Sequence, residues 1–199
     1  MSSSARIGVL ALQGGVSEHI EALTRVGAEV VAVRTPEHLH GLDGIVLPGG
    51  ESSVLDKLLR MFELRDPLTA LLRGGLPAYG TCAGLILLAD TVLDLAPGQQ
   101  GLGGLPVTVR RNAFGSQAHS FETELAFAGI DHPVRATFIR APLITEVGEG
   151  TDVLARLADG GVVATRYRNL LGTSFHPELT GDDSVHEYFV EMVRAAQNG

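Results

Sequence analysis

Gly80-Thr81-Cys82-Ala83-Gly84 follows the short apolar stretch Pro77 to Tyr79 and runs into Ala83 to Val92, which reads as a helix. The pentapeptide has the form of a sharp strand-to-helix turn. Its flanking glycines let the backbone crowd together and push the middle side chain out over a sheet. A cysteine at that point is presented to a ligand and faces the positive end of a helix, which favours the thiolate. The plain alternative is a small buried residue in a tight turn.

Upstream of this turn, apolar runs alternate with amphipathic stretches and each run ends in Gly or Pro, the pattern of buried parallel strands and their crossover helices. Ile7 to Leu12, Glu29 to Val33 and Gly44 to Leu47 read as strands, and Val16 to Val26 and Ser52 to Arg65 as helices. After Leu105 the runs shorten and alternate, at Val107 to Val109, Phe121 to Leu125, Val134 to Ile139, Val153 to Leu157 and Val162 to Tyr167. These suggest antiparallel strands appended to the sheet. Ser184 to Ala196 closes the chain as an amphipathic helix carrying Val185, Tyr188, Phe189, Met192 and Val193. No repeat or linker divides the 199 residues, so one α/β domain over 1–199 is expected, with a mostly parallel central sheet between layers of helices.

Composition narrows the function. With 45% hydrophobic and 19% charged residues the chain is globular, and 15 basic against 23 acidic residues leave a net charge of −8. Lys57 is the only lysine, so no broad grip on nucleic acid or anionic lipid is expected. The single cysteine, Cys82, excludes an intramolecular disulfide and multi-cysteine metal sites, and points to a reducing compartment. The start of the chain lacks an apolar run long enough for a leader or a membrane span, so a soluble cytoplasmic protein is expected, with no metal and no cofactor.

A thiol nucleophile needs a base, and seven histidines are available. His38 and His40 sit in an expected loop, His132 precedes Pro133, and His19, His119 and His186 have no obvious partner. His176-Pro177-Glu178 differs. In an extended segment, residues two apart share a side, so Glu178 can lie beside the His176 imidazole and fix its tautomer while Pro177 stiffens the spacing. A capped loop is the plain alternative. Pro48-Gly49-Gly50-Glu51-Ser52 ends a strand and opens a helix, so its N–H groups can bind an anion or a reacting carbonyl oxygen, unless it is an ordinary cap made by Ser52 or Ser53. Arg111 and Arg140 are cations available to a carboxylate.

Taken together, these segments resemble the class I, triad-type glutamine amidotransferases, and within them the vitamin B6 branch of glutaminase subunits of pyridoxal 5′-phosphate synthase. The resemblance is carried by Gly8 to Gly14 with Glu18-His19, Leu47 to Ser52, Tyr79 to Leu85, Arg111-Asn112 with Phe114-Gly115 and Gln117, Phe138 to Pro142, and Ser174 to Leu179. Cys82 is followed by Ala83-Gly84-Leu85-Ile86, which fits that branch rather than those serving anthranilate, carbamoyl phosphate or nucleotide synthesis.

The resemblance implies a flavodoxin-like three-layer fold and hydrolysis of L-glutamine to glutamate and ammonia. It implies Cys82, His176 and Glu178 as the triad and Gly50, Glu51, Ser52, Arg111, Ile139 and Arg140 around bound glutamine. The oxyanion would be held by the N–H groups of Gly50 and Ala83. The implied partner is a (β/α)8-barrel synthase subunit in a large hetero-oligomer. Pyridoxal phosphate would be the product of the complex. Two rival readings are a γ-glutamyl hydrolase or peptidase on the same fold and a non-catalytic docking module.

Overall fold

The computed structural model describes residues 4–111 and 120–198. Asn112, Phe114, Gly115, Gln117 and His119 lie outside the described residues. The strands Arg6–Leu10 (β1), Glu29–Val33 (β2), Gly44–Leu47 (β3) and Ala78–Thr81 (β4) alternate with the helices Val16–Arg25 (α1), Ser52–Met61 (α2) and Arg65–Arg73 (α3). Ala83–Leu88 (α4) leads into Ala89–Leu93 (β5) and Leu105–Arg110 (β6). The chain continues through Phe121–Leu125 (β7), Val134–Phe138 (β8), Leu143–Val147 (β9), Asp152–Arg156 (β10), Val162–Tyr167 (β11) and Leu170–Thr173 (β12), and ends in Ser184–Gln197 (α5).

The main sheet has the order β2-β1-β3-β4-β12-β11-β9-β6-β5, with β10 also paired to β11. Its half from β2 to β12 is all parallel. Alternation sorts the side chains between two faces. Ile7, Val9, Val46 and Tyr79 share a core with Phe189 and Val193 of α5. Leu10, Ile45, Leu47 and Ala78 share the other with Leu55 and Leu59 of α2 and Leu85 and Leu87 of α4.

Several elements depart from the sequence reading. The helix expected from Ser52 to Arg65 is two helices, broken where Glu63 takes φ +56 between α2 and α3. The helix expected to reach Val92 stops at Leu88, and Ala89–Leu93 is a strand with Asp90 and Thr91 exposed. β7 and β8 are not appended to the sheet. They form a separate antiparallel ribbon because Leu125, Val134, Ala136 and Phe138 turn into the α5-side core, with a Phe127–Ala155 bridge to the main sheet among the described residues. The strand β12, absent from the sequence reading, is parallel to β4 with Thr173 opposite Thr81. That register positions the site, since it ends both strands at one level.

Candidate active site

Four loops meet at the carboxyl edge of the parallel half, where open α/β sheets bind ligands. They follow β1, β3, β4 and β12. Cys82 leaves β4 with φ +51 and ψ −102, a strained conformation for a residue with a side chain, and its N–H donates to the Thr173 carbonyl at 2.8 Å. The glycines on either side are demanded by contact. A Cβ on Gly80 would lie 2.4 Å from the Gly84 carbonyl carbon, and one on Gly84 would lie 1.9 Å from the Leu47 carbonyl oxygen. This is the crowding that turns Cys82 outward; its residue is 7% exposed.

His176 follows β12 by three residues, and its N–H donates to Thr137 of β8 at 2.8 Å. The segment is not extended as the sequence reading had it. A 3-10 turn over Pro177–Leu179 folds Glu178 back under the imidazole, whose Nδ1 donates to Glu178 Oε1 at 2.8 Å. On its other side the ring interacts with Cys82, which helps to hold its proton. Burial opposes the imidazolium, but the interactions with Cys82 and Glu178 outweigh it. They lift the His176 pKa from 6.5 to about 10. Such a shift keeps the His176 imidazolium at neutral pH. Burial also pushes the Glu178 carboxyl up, yet His19 and His176 more than offset this and hold it below its usual range.

The loop after β3 lies against the imidazole, for a Cβ on Gly49 would sit 2.5 Å from His176 Cε1. Gly50 takes φ +130 and is exposed. Glu51, rather than a serine, caps α2: its carboxylate accepts from Ser53 N–H at 3.2 Å and Val54 N–H at 2.9 Å, and from the Ser53 hydroxyl. Arg111 donates to Glu51 Oε1 at 2.7 Å and to Gln99 Oε1 at 2.6 Å, while Gln99 Nε2 donates to the buried Ser52 hydroxyl at 3.0 Å. Burial raises the Glu51 pKa, but the bonds from Ser53 and Val54 and the charge of Arg111 bring it below normal. Ile139 and Arg140, both exposed, leave β8 just after the Thr137 bond to His176. Ala83, the first residue of α4, has an N–H that the helix itself does not use.

Two features escaped the sequence. Gln99 joins Arg111 to Ser52, and its only signal was position in a Gly-rich loop. His19 and His186 stand in line behind Glu178, with His19 Nε2 3.5 Å from Glu178 Oε1 and His19 Nδ1 2.9 Å from His186 Nε2. Among the described residues, no cluster of three or more His, Cys, Asp or Glu could hold a metal ion, and no helix is long and apolar enough to cross a membrane. A cavity of about 880 Å³ between β7 and β10, lined by Leu125, Phe127 and Val153 among others, contains none of these residues.

A strained cysteine over a parallel sheet, with a histidine and a glutamate from the loop after the neighbouring strand, brings a thiol, an imidazole and a carboxylate together at one edge. A crystal structure described as glutamine amidotransferase matches with a TM-score of 0.88 at 46% identity, covering 94% of this chain and 98% of its own. The sequence profile of the SNO glutamine amidotransferase family matches residues 9–195, and the chain belongs to that family. Among curated relatives, pyridoxal 5′-phosphate synthase subunit PdxT of Leifsonia xyli is 58% identical, over 97% of this chain and 98% of its own length. The protein of the same name from Corynebacterium jeikeium is 55% identical, over 94% and 96%. PurLQS from Thermotoga maritima, at 16% identity and a TM-score of 0.74, shares the fold.

Proposed function

We propose that this protein hydrolyses L-glutamine to L-glutamate and ammonia through Cys82, His176 and Glu178, and supplies the ammonia for pyridoxal 5′-phosphate synthesis. The observation that carries the reading is His176 at the ligand-binding edge of the sheet, its Nδ1 bonded to Glu178 and the same ring interacting with the strained Cys82. The Cys82 thiolate attacks the side-chain carboxamide carbon. The imidazolium of His176 gives its proton to the departing nitrogen, the C–N bond breaks, and a γ-glutamyl thioester remains. Water then passes a proton to His176 and attacks the thioester, the C–S bond breaks, and glutamate leaves with the thiolate–imidazolium pair restored. Glu178 orients the ring and stabilises its charged form.

The oxyanion of each tetrahedral intermediate would be held by the N–H groups of Ala83 and Gly50, each such donor contributing about 10²–10³ in rate. Gly50, Glu51, Ser52, Arg111, Ile139 and Arg140 would surround glutamine, with the Arg111 guanidinium taking the substrate carboxylate in a fork. Free ammonia at neutral pH protonates and diffuses away, so the activity is useful only beside a consumer. The PdxT relatives are named as synthase subunits. The partner is accordingly a synthase subunit, a (β/α)8 barrel in a large hetero-oligomer, and the setting is the cytoplasm, where a lone cysteine stays reduced.

The test is glutamate release from L-glutamine by the purified chain, with and without a purified pyridoxal 5′-phosphate synthase subunit, with Cys82→Ala as blank. Release that rises with the synthase and vanishes in the blank is expected. No release in either condition would overturn the reading.

A further inference from the structure

Glu178 poses a physical problem. Its side chain is almost fully buried, its Oε2 has no hydrogen-bond partner among the described residues, and its Oε1 already takes the His176 bond. An ionised carboxylate so far from water needs compensation beyond one imidazole. The group that stands nearest on the far side is His19 of α1, wholly buried, with Nε2 3.5 Å from the same Oε1.

The ring of His19 is pinned at both nitrogens. Nε2 lies 3.2 Å from the Thr81 hydroxyl, on the residue just before Cys82, and Nδ1 lies 2.9 Å from Nε2 of His186 on α5. The groups facing His19 are Glu178, His176, Glu18 and His186, with the Tyr79 ring edge-on at 6.4 Å; Asp183 and Arg25 face His186. Burial, with the charge of His176, lowers the His19 pKa against the pull of Glu178 and Glu18. Burial foremost pushes His186 to about 3. Both rings are therefore neutral at pH 7, and each carries one N–H.

The tautomers follow from the partners. His186 Nδ1 has no hydrogen-bond partner among the described residues. A bare buried nitrogen is cheaper there than an orphaned N–H, so the His186 proton sits on Nε2 and donates to His19 Nδ1. The His19 proton then sits on Nε2. The same result comes from the other end, since a lone pair on Nε2 would face the Glu178 carboxylate and an N–H meets it favourably.

We propose, resting on the glutaminase reading above, that His19 is a positioning residue: held by His186 and donating its Nε2–H to Thr81, it keeps the positive end of that bond 3.5 Å from Glu178 and so keeps the carboxylate ionised behind His176. Without that N–H, Glu178 retains its proton to higher pH, His176 loses its counter-charge, and the thiolate–imidazolium pair forms only at higher pH.

The experiment is the pH dependence of Cys82 alkylation by iodoacetamide, a readout independent of glutamine, together with kcat and KM for glutamine in the complex with the synthase subunit. In His19→Leu the acid limb of alkylation moves up by about one pH unit and kcat falls about tenfold, with KM within twofold. His19→Gln, whose amide N–H reaches the place of Nε2, restores the wild-type limb. His19→Asn, whose amide stops short of it, behaves as Leu does, and so decides the matter if the Leu variant does not fold. An unmoved limb in a folded Leu or Asn variant, or a Gln variant that matches Leu, overturns the proposal. Absence of glutamine hydrolysis by the wild-type complex would instead remove the glutaminase reading, leaving the alkylation limb to report on His19.

Discussion

Behind His176 stand Glu178, His19 and His186, each at most 7% exposed and linked through hydrogen bonds and close charge to one another. The residues proposed to surround glutamine, among them Gly50, Glu51, Arg111 and Arg140, are by contrast partly or fully open to solvent, with Arg111 tied to Glu51 and Gln99 rather than free. The buried side sets protonation and geometry before any ligand arrives, because low dielectric magnifies each charge there. The open side must exchange partners when a ligand binds. Changes behind or under the imidazole should therefore appear in kcat and in pH profiles, and changes on the open side chiefly in KM.

The hardest break is Cys82→Ala, for which glutamine turnover is expected to fall by about 10⁴ or more while glutamine binding is retained. Isothermal calorimetry and glutamate release would check both; turnover above the background would remove Cys82 as nucleophile. Next comes Gly49→Ala. The new methyl would press on His176 Cε1, where 2.5 Å is available, so kcat should drop about 10²-fold, consistent with a displacement near 1 Å. Arg111→Ala is expected to raise KM at least tenfold with kcat within threefold, the loss of the charged fork to the substrate carboxylate. An unchanged KM would put the substrate carboxylate elsewhere.

The fold's own pH dependence divides along the same line. His186, with its pKa pushed to about 3, takes up a proton near 6.5 only when the chain unfolds, so stability falls as pH drops from 6.5 towards 3. His176 has the opposite sign. Raised to about 10, it contributes fully below 6.5 and that contribution is lost as pH rises through 10. Tm should thus decline on both sides of neutrality, and Cys82→Ala should flatten the alkaline decline by removing one of the groups that raises His176. An alkaline slope identical in the two proteins would deny that pairing. The smallest effect is expected for Gly15→Ala: φ is −72 and a Cβ would lie 3.4 Å from Glu178 Oε1, so kcat should stay within about twofold.

The open side and the turn at Cys82 were legible in sequence because their signals are local. Gly80 and Gly84 flank the cysteine, Glu178 stands two residues from His176, and Pro48 to Ser52 joins a strand to a helix. Beyond Glu178 the buried side was not legible, for His19 meets Thr81 and His186 across 62 and 167 residues, spans over which no periodicity speaks. The same holds for β12. Leu170-Leu171-Gly172-Thr173 is four residues long and becomes a central strand only through its register with β4. The break between α2 and α3 falls at Phe62-Glu63-Leu64, which carries neither Gly nor Pro to announce it.

The most direct test of the central claim is intact-protein mass spectrometry of the chain in complex with the synthase subunit, quenched in acid during turnover of isotopically labelled glutamine. One labelled glutamyl group on the Cys82 peptide, absent from Cys82→Ala, is the expected result. Turnover with no adduct on Cys82, or an adduct that persists in the alanine variant, would contradict it.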